Sequence, residues 1–174
     1  SLVGGETISV DQLVEAAQLA QAQASSTGCR SNLLRPGLIV TLHNLNRFNA
    51  ARDYESWAKA EENAQRFIAT MARCLPSDGN VWLRDALVSR SIAENPDELR
   101  RKLTMSIGLM PYEGQQLTAR LALWKRLSAF TLSQCEDLAR ADIRAVLLYG
   151  TDKMKKELMQ AGSAEFANMV ADEQ

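Results

Sequence analysis

Histidine is nearly absent from this 174-residue chain: His43 is its only one. A Ser-His-Asp or Cys-His arrangement would have to be built on that residue, and no surrounding motif supports one. A site of several His and Cys around one metal cannot be assembled without carboxylates, so no metal is expected. The three cysteines, Cys29, Cys74 and Cys135, share no C-x-x-C spacing. That argues against zinc and thioredoxin-like chemistry. No Gly-rich phosphate loop occurs, so no nucleotide cofactor, and no other cofactor, is expected. Basic excess is missing too: the net charge is −1, which removes the electrostatic footprint of a nucleic-acid partner. No apolar run approaches the 18 or so residues of a membrane span. The chain opens on Ser1, without Met or a signal-like apolar region, and reads as a trimmed or processed piece.

Glycine (9) and proline (4) are also sparse, and β-branched residues seldom alternate with polar ones. Helix formers fill most windows, so the fold class expected is all-α. The few prolines carry most of the punctuation. Leu75-Pro76-Ser77-Asp78-Gly79 recurs as Met110-Pro111-Tyr112-Glu113-Gly114, and the two prolines stand 35 residues apart. Each copy reads apolar, Pro, any residue, acid, Gly, and each lies between helical patterns. A period of about 34 residues is that of stacked helical hairpins.

About eight helices follow from periodicity and end signals. The first six residues read as loose, and residues 1–8 as a disordered lead. Ser9 would cap a helix over 10–25, broken by Ser25-Ser26-Thr27-Gly28. A second, with Pro36 in its first turn, would start near Asn32 or Leu33, run to Phe48-Asn49, and bury Leu38, Leu42 and Leu45 with Ile39 and Val40 beside them. Asp53 would cap a third over 54–74, whose buried face reads Trp57, Ala60, Ala64, Phe67, Ile68 and Met71. Further helices are expected over 80–93, 96–109 (Asn95 as cap), 113–129, from Thr131 or Ser133 to Tyr149, and 153–160 (Asp152 as cap). A weak last helix would hold Phe166, Met169 and Val170. A single domain over 9–174 results, with a repeat-like core at about 33–130.

The positions around the prolines resemble tetratricopeptide-type hairpins. Ala64, Ile68 and Pro76 fit the second helix of that pattern, Trp82 the aromatic that opens the next hairpin, and Ala86 its close-packing position. Departures are Asp85 where the pattern has Leu, Leu117 for an aromatic, and Leu121 and Glu98 for small residues. The resemblance implies a short solenoid with different end helices, because terminal repeats need a polar outer face. It also implies a concave face made by the first helix of each pair. The matching residues are Asn80, Arg84, Leu87, Arg90, Gln115, Thr118 and Lys125, of which Asn80, Arg84, Arg90, Gln115 and Lys125 are the binding candidates. Amides and cations together suit an acidic chain end or an extended peptide; an ordinary solvated helix surface is the alternative. The segment Leu75 to Arg84 is also similar to one in small, membrane-anchored proteobacterial envelope proteins associated with surface polysaccharide production. That similarity implies the soluble part of an anchored protein, with a membrane-embedded component of polysaccharide production among its partners.

The polar residues otherwise read as structural. Glu61-Glu62 belongs to a solvated helix face, and Asp78 and Glu113 suit the positive ends of helices. Trp57 and Trp82 read as core, while Trp124, beside Lys125 and Arg126, sits nearest a rim. Two readings of the cysteines stay open: three buried small hydrophobes, or one disulfide between Cys29 and Cys74 with Cys135 spare. The first leaves a cytoplasmic location open; the second favours the periplasm or cell envelope. The expectation is a non-catalytic scaffold or adaptor at the envelope. An enzyme or accessory factor of envelope glycan metabolism and a structural homo-oligomer are the rivals.

Overall fold

The computed structural model describes residues 10–26, 29–160 and 162–174. The expected disordered lead, the Ser9 cap and the Thr27-Gly28 break lie outside them. Among the described residues there are ten helices and no strand. The fold is all-α. The chain divides between Pro76 and Ser77 into two compact units, a boundary that the expected single domain and its 33–130 core both span.

The first unit contains α1 (Val10–Ser26), α2 (Ser31–Asn46) and α3 (Tyr54–Cys74), each packed on the other two. Leu34, Leu38 and Leu45 of α2 are buried, as are Ala60, Ala64, Phe67, Ile68 and Met71 of α3. Burying such side chains is the main force holding the three helices together. Asp53 caps α3, accepting a 3.1 Å hydrogen bond from the Ser56 amide. That is the expected capping geometry for an acid with a free amide three residues on. Gly37 admits Phe67: a Cβ there would stand 2.6 Å from the tip of the ring.

Three details differ from expectation. Helix α2 begins at Ser31, because the Leu33 and Leu34 amides already bond the Arg30 carbonyl, so Pro36 is an interior residue rather than a first-turn one. Ile39 is exposed and Leu42 half-buried, so the buried stripe of α2 is narrower than its composition. Trp57 is only half-buried; it lies in the first turn of α3 with Tyr54 beside it, ring centroids 5.9 Å apart.

The second unit contains α4 (Gly79–Ile92), α5 (Pro96–Leu109), α6 (Gly114–Trp124), α7 (Ala129–Gln134), α8 (Glu136–Tyr149), α9 (Asp152–Leu158) and α10 (Ala164–Asp172). One core runs through it, from Leu83 and Ala86 of α4, through Leu99, Leu103, Leu117 and Ile143, to Phe166 of α10. Here too the caps decide the boundaries. The expected helix 113–129 stops at Trp124, because Lys125 to Leu127 form a turn and the Ser128 hydroxyl accepts from the Thr131 amide, starting α7. The expected single helix up to Tyr149 is therefore two, joined at Cys135. Thr151, not Asp152, caps α9; Asp152 is its first helical residue.

Candidate functional site

The repeated phrase builds the same local form twice. Leu75 closes α3 with φ −131° and ψ 57°, and Met110 closes α5 with φ −141° and ψ 65°. Each donates its amide to the carbonyl four residues back, at 2.7 and 2.9 Å. Pro follows, where it cannot prolong the helix. The acid then takes the N-cap position of the next helix, and Gly its first residue. The copies diverge at the cap: Asp78 accepts from the Asn80 amide at 3.0 Å, whereas the longer Glu113 makes no capping bond.

The same two helix positions after each proline then carry a buried polar cluster. Nine and thirteen residues past Pro76 stand Asp85 and Ser89; nine and thirteen past Pro111 stand Arg120 and Trp124. Lys102 of α5, itself buried, donates to Asp85 at 2.8 Å, to Ser89 at 2.5 Å and to Glu98 at 2.5 Å. Arg120 of α6 donates from Nε and Nη2 to Asp142 of α8, at 2.9–3.1 Å. Its Nη1 and Nη2 also reach the carbonyls of Met110 and Pro111, at 3.0 and 3.1 Å. Trp124 Nε1 completes the set with a 2.8 Å bond to Asp142. The charges are exchanged between the copies: an acid on α4 meets a cation, and a cation on α6 meets an acid. Asp85, which departs from the tetratricopeptide pattern, is one end of this device. Burial pushes the Asp142 carboxyl up, and the Arg120 and Trp124 hydrogen bonds oppose that shift. Trp124 is fully buried rather than at a rim, since its ring completes the core while its N–H finds the carboxylate.

Of the five binding candidates, two are occupied within the fold. Arg90 Nη2 donates to the Arg126 carbonyl just past the end of α6, at 2.5 Å, and Nε lies 3.4 Å from Glu94. Lys125 Nζ donates to the Glu157 carbonyl in the last turn of α9 and lies 6.0 Å from the centre of the Phe166 ring. Burial pushes the Lys125 ammonium down, against the Glu157 charge. A cation at a helix C-terminus satisfies carbonyls that lack an intrahelical donor. Arg100 does the same for α7, donating to the Gln134 carbonyl at 2.8 Å while pairing with both oxygens of Asp137. The remaining candidates are Asn80 and Arg84, half-buried and one turn apart on α4, and Gln115, exposed in the first turn of α6. Trp82, expected in the core, is half-buried between them in sequence.

In the first unit, Cys29 and Cys74 form a disulfide, with Cα atoms 4.9 Å apart, joining the approach to α2 with the last residue of α3. Cys135 is free and buried, and burial pushes its thiol up, away from the reactive thiolate. His43 is exposed on α2. Glu62 is exposed as expected, but Glu61 is half-buried with its Oε1 unpartnered, and burial together with Glu62 pushes its carboxyl up. Three clefts, one beside Phe166, one beside Lys59 and one beside Arg73, have no Asp or Glu among their described lining residues. Among the described residues no group of three or more His, Cys, Asp or Glu could hold a metal ion. No described helix is long and apolar enough to cross a membrane.

Sequence reasoning missed Arg120, Asp142 and Lys102. The signal for the first lay in the repeat, where Arg120 occupies the position of Asp85; nothing in the sequence pointed to Asp142, 22 residues further on. Comparison of the chain with family models, curated proteins and solved structures finds no match.

Proposed function

We propose that this chain is a non-catalytic adaptor of the bacterial cell envelope that captures an acidic chain end or extended peptide of another protein on α4. Within the second unit, α4, α5 and α6 would stack in the manner of tetratricopeptide-like hairpins, with Asn80, Arg84 and Gln115 on the concave face. The observation that carries the reading is the contrast among the expected cations. Arg90 and Lys125 are occupied by helix ends, whereas Arg84 makes no ion pair or hydrogen bond among the described residues. A half-buried guanidinium has five donors to offer, and a carboxylate matches two of them at once. The Cys29–Cys74 disulfide supports an oxidising compartment, and the similarity of Leu75 to Arg84 supports a role in surface polysaccharide production or export.

The test is selection of peptides with free, acidic C-termini, followed by anisotropy titration of the best one. Arg84→Ala should keep the wild-type helical spectrum and weaken binding about tenfold or more, as loss of a charge-assisted pair does. Equal binding by wild type and Arg84→Ala refutes the α4 site. A second reading, self-association, is favoured by the exposed rings of Tyr112 and Tyr149, in edge contact at 5.0 Å, with Leu148 exposed beside Tyr149. A concentration-independent monomer mass in light scattering would remove it.

A further inference from the structure

The last described helix of the second unit is held as a helical ligand is held in a groove. α10 starts at its own cap, the Ser163 hydroxyl accepting from the Phe166 amide at 3.2 Å. Phe166, Met169 and Val170, spaced i, i+3 and i+4, are buried, and α10 packs on α7 and α8. That spacing is the anchor pattern of an amphipathic helix in an apolar groove. Beyond the anchors the contacts are ionic and of one polarity. Arg140 of α8 donates to Asp172 at 2.9 Å and to Glu173 at 3.3 Å, and Arg144 donates to Glu173 at 2.9 Å. Arg140 Nε also donates to Glu136 at 2.8 Å, so the end of the groove is a charge network rather than a lone surface pair. Residues 159–163 join α10 to α9. A cleft of about 240 Å³ opens at this connection, lined by Leu158 and Met159 and by Phe166 and Val170. Met159 and Gln160 are exposed there, whereas Phe166 is fully buried.

We infer that the α7–α8 groove is a docking site for α10 of a second copy of this chain, and that two copies pair by exchanging this helix. The apolar seat and the Arg140–Arg144 clamp are the same on the second copy, so an arriving α10 recovers the anchors and the ion pairs that it left. Each copy gives and receives one helix, which closes the pair with two-fold symmetry. The closed monomer and the exchanged pair differ in the path of the connection. A helix tethered by a few residues competes at a millimolar effective concentration, so the closed form dominates in dilute solution. Exchange rises with the local concentration of the chain, or when the connection cannot turn back. The pairing uses neither the α4 face nor the Tyr112–Tyr149 contact and is independent of both.

Two charge-reversed full chains test it, read by light scattering after size exclusion. Arg140→Glu/Arg144→Glu reverses the groove, and Asp172→Lys/Glu173→Lys reverses the helix end. Each variant alone opposes like charges, within a chain and between copies. Mixed one to one, each groove meets a matching helix only on the other chain. At about 1 mM of each, near the effective concentration of the tether, the mixture should contain at least about tenfold more dimer than either variant alone. A chain lacking residues 160–162, whose α10 cannot turn back onto its own groove, should be mainly dimeric at about 10 μM, where the wild type should show at most about a tenth as much dimer. Two results overturn the proposal. One is equal dimer, or none, in the mixture and the separate variants, as contact through an exposed patch would give. The other is a monomeric deletion variant with the wild-type helical spectrum. If the charge variants lose that spectrum, the deletion decides; if the deletion variant loses it, the mixture decides.

Discussion

Replacing Arg120 by Met tests the most deeply buried polar device in the protein. Both Arg120 and Asp142 are within 1% of full burial. Met keeps most of the aliphatic volume and removes the guanidinium. Asp142 then keeps Trp124 Nε1 alone among its donors, and the Met110 and Pro111 carbonyls lose theirs. Breaking one side of a buried pair costs about 3–5 kcal/mol. With a urea m-value near 2 kcal/mol/M, the midpoint should fall by about 2 M. Arg120→Met/Asp142→Leu should recover part of that loss, because no charge is left buried, but not all of it, since the two carbonyls and the indole N–H stay unpaired. The deficit of Arg120→Met should also shrink as the pH falls, because a protonated Asp142 buries no charge. Urea denaturation of the wild type, of Arg120→Met, of Asp142→Leu and of the double variant, at neutral and at acid pH, measures all three effects. A loss below about 1 kcal/mol in the single variant, or strict additivity in the double one, would refute the reasoning.

Three further outcomes are expected. Cys29→Ser/Cys74→Ser should destabilise the first unit by up to about 4 kcal/mol, the loop-closure value for a 45-residue separation, read as a lower midpoint for signals from Trp57. In thermal melts Gly37→Ala should destabilise by about 1–3 kcal/mol, because the added methyl meets the buried Phe67 ring at 2.6 Å; Gly108→Ala, with nothing within 4 Å, should be neutral or gain up to about 1 kcal/mol in the same melts. The hydrogen bond from Lys102 holds the Glu98 carboxyl below its usual range, so its contribution is complete above the unfolded carboxylate pKa of about 4.3 and is lost as pH falls through the folded value. Unfolding curves of wild type and Glu98→Gln should therefore differ at neutral pH and converge in strong acid.

The binding candidates show how far local pattern carries. The resemblance to stacked hairpins grouped Arg90 and Lys125 with Arg84 because all three fall on the helices that it takes as the first of each pair. Arg90 and Lys125 bond carbonyls 36 and 32 residues away in the chain, and no sequence window of helical length contains both partners. Among the described residues the side chains of Asn80, Arg84 and Gln115 show no such bond, so they stay on the list that the resemblance drew up.

What the amino-acid order determined alone is the helical content and most of its punctuation. Asp53 and Asn95 are caps, Pro96 is a first residue, and Pro76 and Pro111 stop helices through forces acting within one turn. What the tertiary structure decided is the fate of ambiguous side chains. Whether an arginine turns outward, caps a distant helix or enters the core depends on an oppositely polar group from another helix. Arg120 is interior because Asp142 and two turn carbonyls meet it there, and Ile39 is exterior although it is apolar, about half of its surface left open by the tertiary packing. Local rules act over three or four residues; burial is settled by elements that are neighbours only after the chain has folded.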